Sequence, residues 1–249
     1  MDLTNKVVIV TGAARGIGKA LATGVLAKGA KVCLSDINEQ LGTTTAQSLA
    51  TLYGDNNVTF VTCDVRNEDQ FRNVFQVTKD KLGQVDIVIN NAGILDEENW
   101  EKCVDVNLKG CILGTRLGAE SLRKDNGGKG GMVINMCSLF GFVPCPYLPI
   151  YTATKHGVFG ITKSFAEIPE MKINNVKFTC ICPGAVDTDI ITEDLQRLRK
   201  QMLNDTSLMS TDAVVEALFK LLSDSDNNGG ALIVNQRDPD NDMTYVKTN

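Results

Sequence analysis

The sequence predicts one α/β domain: a doubly wound, seven-stranded parallel sheet with helices on both faces. Three observations predict it. Seven apolar runs of strand length recur along the 249 residues, longer segments with helical periodicity separate them, and a glycine-rich turn joins the first run to the first helix. Strands in such an alternation are buried on both sides, and a parallel sheet covered by helices is the architecture that does this.

The strand runs are KVVIV (6–10), KVCLS (31–35), NVTFVTC (57–63), VDIVI (85–89), GMVINMC (131–137), VKFTCIC (176–182) and ALIVN (231–235). Helical spacing fills 16–28, 39–52, 68–81, 98–124, 151–167 and 211–222. The glycine-rich stretches at 126–131 and 225–230 read as turns before strands, and no Pro/Ser-rich linker divides the chain. A single domain over 1–249 is expected, with a nucleotide-binding half over about 1–93 and a catalytic and substrate-binding half over about 94–249.

Composition narrows the function classes. The apolar fraction of 43% supports a sizeable core, and the net charge is -5. The nearest approach to a basic run, QRLRKQ at 196–201, lies beside Glu193 and Asp194, so no nucleic-acid or anionic-membrane partner is expected. Of eight cysteines, Cys33, Cys63, Cys137, Cys180 and Cys182 sit in strand runs, where a free thiol behaves as a small hydrophobe. His156 is the only histidine, and no cysteine pair has close metal-binding spacing with it, so no metal is expected. The start, MDLTNKVVIVTG, has no signal-like pattern, and no apolar run approaches the roughly 18 residues of a membrane span. A cytoplasmic setting is the simplest expectation.

The loops at the carboxyl ends of the strands carry the chemistry in chain order. TGAARGIG (11–18) follows the first strand and opens the first helix. Gly12 permits the tight turn, while Gly16 and Gly18 let a pyrophosphate approach free N–H groups at a helix start; Arg15 and Ile17 belong to the same site. The second strand ends at Asp36, next to Ile37. A carboxylate there accepts hydrogen bonds from adenosine ribose hydroxyls and repels a 2'-phosphate, which selects NAD over NADP. Arg15 pulls the other way, as a cation that could welcome the phosphate, or it touches only solvent or pyrophosphate. No basic residue follows Asp36 through Leu41, so NAD is the expected cofactor. Cys63, Asp64 and Val65 end the third strand at the adenine edge, although Asp64 could instead cap the helix starting near Glu68. Asn91, Ala92 and Gly93 form a small-residue turn that a cofactor could cross, or a plain Asn/Gly turn. Pro183, Gly184, Val186 and Thr188 play the parallel part after the sixth strand. This clustering on one edge yields the Rossmann-type reading.

YTATKHG (151–157) places Tyr151 and Lys155 one turn apart on one helix face. The pair is either a packed aromatic beside a solvated lysine or a phenol held beside an ammonium for proton exchange. A free phenol titrates near about 10, so a neighbouring cation is what makes its phenolate accessible. Ser138, thirteen residues upstream, could donate a hydrogen bond to a developing alkoxide or carbonyl oxygen.

TGAARGIG, NNAG, Ser138, YTATK and PG together resemble the classical short-chain dehydrogenase/reductase family, in order and spacing, over essentially residues 5–236. ENWEK (98–102), NGGKGG (126–131), INMCSL (134–139) and YTATKHG are similar to its NAD-dependent hydroxyprostaglandin-oxidising members. NNAGILD (90–96) and IYTATK are similar to its insect alcohol dehydrogenases. The resemblance implies an NAD-dependent oxidoreductase that interconverts a secondary alcohol and its ketone. Tyr151 would be the acid/base, Lys155 its neighbouring cation and a ribose ligand, and Ser138 a hydrogen-bond donor to substrate. The resemblance adds Asn107 as the holder of a water behind Lys155; by itself Asn107 reads as a local backbone hydrogen-bonder.

The apolar, proline-stiffened loop LFGFVPCPYLPI (139–150) should line the substrate pocket through Leu139, Phe142, Val143, Pro144, Tyr147 and Leu148. After Thr188, DIITEDLQRLRKQML spaces Ile190, Ile191, Leu195, Leu198 and Met202 as a helix, either a lid over substrate or a surface helix. Hydroxyprostaglandin-oxidising members carry a glutamine three residues before the tyrosine, where this chain has Leu148. The expected substrate is therefore a broader lipophilic alcohol or ketone: hydroxyprostaglandin-, sterol- or terpenoid-like. Insect-type activity on small or fatty alcohols is one alternative. A catalytically silent NAD-binding regulator or scaffold is another, opposed by the retention of Ser138, Tyr151 and Lys155. His156, off the Tyr151/Lys155 face, reads as a packed or interface residue, and Trp100 as a surface or packing aromatic. Surplus apolar residues (Val104, Leu108, Ile112 and Leu117; Val158, Phe159, Ile161 and Phe165) suggest a homodimer, with a tetramer also open. The polar tail NQRDPDNDMTYVKTN offers little surface for a second interface.

Overall fold

In the computed structural model, which describes residues 1–191, 196, 200, 208–224, 226–234 and the backbone of 244–246, each apolar run forms a strand. These are β1 (Val7–Thr11), β2 (Lys31–Asp36), β3 (Val58–Thr62), β4 (Ile87–Asn90), β5 (Gly131–Met136), β6 (Val176–Pro183) and β7 (Ala231–Val234). They pair in parallel in the order β3-β2-β1-β4-β5-β6-β7. An eighth strand, β8 (Thr244–Val246), adds antiparallel to β7. The sequence reading did not contain it, because a three-residue strand inside a polar tail has no periodicity to detect.

The strands alternate as a doubly covered sheet requires. Val8 and Val10 of β1 face a core with Leu21, Val25, Leu218 and Leu221, while Val7 and Ile9 face the opposite core with Phe71, Leu122 and Phe178. Helices α1 (Gly16–Ala27) and α2 (Glu39–Tyr53) cover the first face with α8 (Thr211–Ser223). The second face is covered by α3 (Glu68–Leu82), α5 (Gly110–Leu122) and α6 (Pro149–Glu167), joined by the short helix α7 (Pro169–Ile173).

The segment expected as one helix over 98–124 is interrupted. A short helix α4 (Trp100–Val104) runs into a π-helical turn, Asp105–Lys109, and only then into α5. The turn carries the buried Asn107 toward the loop after β4. Asn67 caps α3, accepting from the Gln70 N–H at 3.1 Å. The alternative reading of Asp64 as that cap is therefore corrected: its carboxylate is committed elsewhere. α6 begins with Pro149 at its first position, where a missing N–H costs nothing.

The chain runs outward from β1 to β3, then returns to place β4 on the other side of β1. This reversal opens a crevice at the carboxyl ends of β1 and β4. Of the apolar residues counted as surplus, Leu117 and Val158 are buried and the other six are half-buried. All eight cysteines are free and buried. Among the described residues, no helix is long and apolar enough to cross a membrane.

Candidate active site

A cavity of about 870 Å³ follows the carboxyl edge of the sheet and collects residues from every loop singled out by the sequence. At one end lies the glycine turn. Gly12 and Gly16 have φ of 62° and 55°, the left-handed region that glycine occupies without strain. A Cβ on Gly18 would lie 2.2 Å from the Gly12 carbonyl oxygen. α1 starts with no side-chain cap and no acidic residue in its first turn, leaving its positive end available to an anion. The turns after β1 and β4 are tied together. Thr11 Oγ1 accepts from the Asn91 and Ala92 N–H groups at 3.0 and 3.1 Å, and Asn91 Nδ2 donates to the Thr11 and Gly12 carbonyls at 2.9 and 3.1 Å.

Asp36 stands at the cavity wall with its carboxylate fixed by two amides, Ala14 N–H at 2.9 Å and Asn38 N–H at 3.0 Å. Each oxygen keeps a lone pair for a ribose hydroxyl. Arg15 does not pair with it: its Nη1 lies 3.0 Å from Asp189 Oδ2 at the far lip of the cavity. Ile37, Cys63, Asp64 and Val65 continue the wall. Arg66 grips Asp64 at 2.6–3.0 Å, and its hydrogen bonds hold that carboxyl below the usual carboxylate range.

The other end contains Ser138, Tyr151 and Lys155. Ser138, just past β5, accepts from the Phe140 N–H at 3.2 Å and donates to the Pro183 carbonyl at 3.4 Å. Lys155 Nζ lies 5.4 Å from the centre of the Tyr151 ring and donates to the Met136 carbonyl at 2.9 Å. Lys155 is buried, so its ammonium is poorly hydrated and its field at the phenol is weakly screened. Behind it, the Cys137 thiol donates to the Lys155 carbonyl at 3.3 Å.

Asn107 does not line the cavity. Its amide grips both peptide groups of Ile94, accepting from N–H at 2.8 Å and donating to C=O at 2.9 Å, and it reaches Thr154 at 3.4 Å. The side chain is thus the backbone hydrogen-bonder that the residue type suggested. A Cβ added to Gly93 would lie 3.4 Å from Asn107 Oδ1 and 3.7 Å from Lys155 Nζ, so Asn107 stands directly behind the site.

Leu139, Val143, Pro144, Leu148, Ile190 and Ile191 line the cavity next to Tyr151. Phe142 does not, which corrects the expectation. The tight turn Leu139–Gly141 directs its ring against Phe159 of α6, with centroids 4.5 Å apart. Tyr147 is exposed and also off the cavity wall. Leu195, Leu198 and Met202 of the suggested lid lie outside the described residues. His156 is exposed rather than packed, and Trp100 is exposed at the start of α4. The sequence reading missed Leu95, Lys102 and Val106 on the wall, and Glu97, whose carboxylate meets the start of α6.

Residues 6–199 match the family model described as short chain dehydrogenase. The chain belongs to this family. It is 37% identical over 243 residues to 15-hydroxyprostaglandin dehydrogenase [NAD(+)] of Bos taurus, an alignment that spans 93% of this chain and 91% of the relative. The same enzyme of Homo sapiens is 37% identical over 244 residues, with the same coverage. An NADP-dependent (R)-specific alcohol dehydrogenase of Lentilactobacillus kefiri is 35% identical over 212 residues, covering 82% of each chain. This short-chain dehydrogenase is an NAD-dependent oxidoreductase acting on a secondary alcohol or ketone. The site fits the cofactor: an uncapped helix end for the pyrophosphate stands beside a fixed carboxylate for the ribose. NAD, when bound, supplies the acceptor for the hydride.

Proposed function

We propose that the chain oxidises a lipophilic secondary alcohol to its ketone, reversibly, with Tyr151 as the acid/base. The observation that carries this reading is the apolar wall of Leu139, Val143, Leu148, Ile190 and Ile191 in the same cavity as Ser138 and Tyr151. Such a wall favours a bulky apolar body over a small hydrated alcohol. In the oxidising direction the Tyr151 phenolate takes the hydroxyl proton. Ser138 Oγ–H donates to the substrate oxygen, at the cost of its long bond to Pro183, and so fixes the carbinol carbon. Lys155 places its ammonium 5.4 Å from the centre of the Tyr151 ring and has donors left for the cofactor ribose. Asn107 stands behind Gly93; with its amide spent on Ile94, any water it holds would meet its main chain.

Hydroxyprostaglandin-, sterol- and terpenoid-like alcohols all suit the wall, and the named activity of the bovine and human relatives lends weight to the first. Leu148, in place of a polar hydrogen-bonder, supports the wider class. Eight free thiols suit a reducing compartment, which supports a cytoplasmic setting. The half-buried apolar residues of α5 and α6 support a homodimer.

The test is to mix the protein with NAD and a panel running from cyclohexanol to a hydroxysteroid, a terpenoid alcohol and a hydroxy fatty acid, and to follow NADH by absorbance. Turnover should rise with the apolar bulk of the alcohol. Silence across the panel despite tight NAD binding would favour a regulatory NAD binder, and a preference for cyclohexanol would favour the small-alcohol reading.

A further inference from the structure

We infer that Glu97 is a positioning residue for Tyr151, an assignment that rests on the acid/base reading of that tyrosine. α6 begins without a cap of its own: Leu148 offers no side-chain acceptor, and Pro149 has no N–H. The first two amide donors of the helix, Ile150 and Tyr151, would be orphaned at the wall of an apolar cavity. Glu97 takes both. Its Oε2 accepts from Ile150 N–H at 3.0 Å and its Oε1 from Tyr151 N–H at 2.8 Å. A carboxylate also suits the positive end of a helix. A neutral glutamine in its place would present only one acceptor oxygen to the two amides.

The bond to Tyr151 closes a ring. The Tyr151 carbonyl accepts from Thr154 Oγ1 at 2.7 Å, Thr154 Oγ1 accepts from Asn107 Nδ2 at 3.4 Å, and Asn107 clamps Ile94, three residues before Glu97. Both peptide groups flanking the Tyr151 Cα are therefore anchored to the segment that follows Asn91–Gly93, the floor of the cofactor site. Tyrosine and cofactor floor share one hydrogen-bonded frame. Such a frame fixes the distance between the phenol and the carbon that loses hydride, so its loss should appear in kcat and not in cofactor affinity.

The test uses the full-length chain with Glu97→Gln, which keeps size but leaves one acceptor oxygen, and Glu97→Ala, which leaves none. With NAD and the alcohol of the panel that the parent oxidises fastest, kcat should fall roughly ten- to a hundredfold, the scale of a small misplacement of a reacting group. NAD affinity by calorimetry should stay within about twofold, since no Glu97 atom forms the nucleotide end. Amide hydrogen exchange over 149–155 should accelerate in both variants, with or without a turned-over alcohol. Thr154→Val should cost less in the Glu97→Gln background than alone, because both changes cut one ring.

Three outcomes overturn the proposal: parent-like kcat in both variants, loss confined to NAD affinity, or unchanged exchange over 149–155. The first of these, accompanied by lower thermal stability, would leave Glu97 as a structural cap only. If Glu97→Ala does not fold, Glu97→Gln and the exchange measurement decide. Parent-like turnover in Tyr151→Phe would sink the acid/base reading itself; an inactive Tyr151→Phe with active Glu97 variants would sink the Glu97 assignment alone.

Discussion

Helices α1 and α6 both start at the carboxyl edge of the sheet, against the same cavity, and they treat their first amides in opposite ways. α1 opens after Arg15 with no cap and no acidic residue in its first turn. α6 opens with two amides bound by a carboxylate brought from another loop. An open helix end is a site for a mobile anion, whereas a closed end is a fixed point from which a side chain can be aimed. The contrast separates two tasks. On the proposed reading, α1 holds a ligand that comes and goes, and α6 fixes the tyrosine that serves as acid/base.

The largest expected effect breaks the α6 side. Tyr151→Phe removes the proton acceptor and little else, so turnover should fall roughly a hundred- to ten-thousandfold. NAD binding, measured by calorimetry, should remain close to the parent value, because the α1 end is untouched. Loss of both together would show that the two helix ends are not separate devices.

On the α1 side the corresponding change is Gly18→Ala. The added Cβ would sit 2.2 Å from the Gly12 carbonyl oxygen and 2.6 Å from Asn91 Nδ2, so the turn must open. That strain should cost about 1–3 kcal/mol of stability and also weaken NAD binding by displacing the amides of α1. Denaturant unfolding with and without NAD separates the effects: the stabilisation conferred by NAD should shrink as well as the baseline. Full NAD stabilisation in this variant would mean that the open helix end is not the cofactor's anchor.

Asp36→Ala tests cofactor choice with a smaller expected effect. Losing the two ribose hydrogen bonds should cost roughly 1–2 kcal/mol of NAD affinity. The gain for NADP should be the lesser change, because Arg15 is engaged with Asp189 and must leave it to meet a 2'-phosphate. That exposed pair is worth about 1 kcal/mol at most, so the barrier is low. Comparable catalytic efficiency with NAD and NADP in the unmutated protein would contradict the ranking of Asp36 over Arg15.

The same contrast explains what could be read from the sequence. The α1 end is legible because its parts lie within eight residues and use glycine where no other residue fits, as Gly12 and Gly18 show. Tyr151 and Lys155 are legible because a helix turn separates them. Glu97 was not, since it meets α6 across 53 and 54 residues of chain and its type at that position is unremarkable. Phe142 misled for a related reason: a periodic or apolar pattern cannot show which way a tight turn directs a ring. The π turn around Asn107 was invisible because one extra residue per turn barely changes helical spacing over 98–124. Local rules are printed in the sequence, and contacts closed by topology are not.

The smallest effect concerns the outer face of α6, where its fixed start leaves open whether a second chain holds the rest. Gly160 is exposed, and a Cβ built on it meets nothing within 4 Å. In a lone chain Gly160→Ala should stabilise by about 0.5–1 kcal/mol, by lowering the freedom of the unfolded chain. The denaturant midpoint would rise with an unchanged slope. Yet Ala153, His156, Gly160 and Ser164 form an exposed, mostly small-residue stripe flanked by the half-buried Phe159 and Ile161. Small residues let helix axes approach closely, which is what the proposed homodimer would use. If the stripe is that contact, the new methyl group meets the partner helix, and the variant should dissociate at lower dilution than the parent. Sedimentation of both proteins at micromolar concentration separates the cases. A parent species at twice the 27.0 kDa chain mass that is lost in Gly160→Ala would place the contact on this stripe. A parent found only at 27.0 kDa, with the variant simply more stable, would end the dimer proposal.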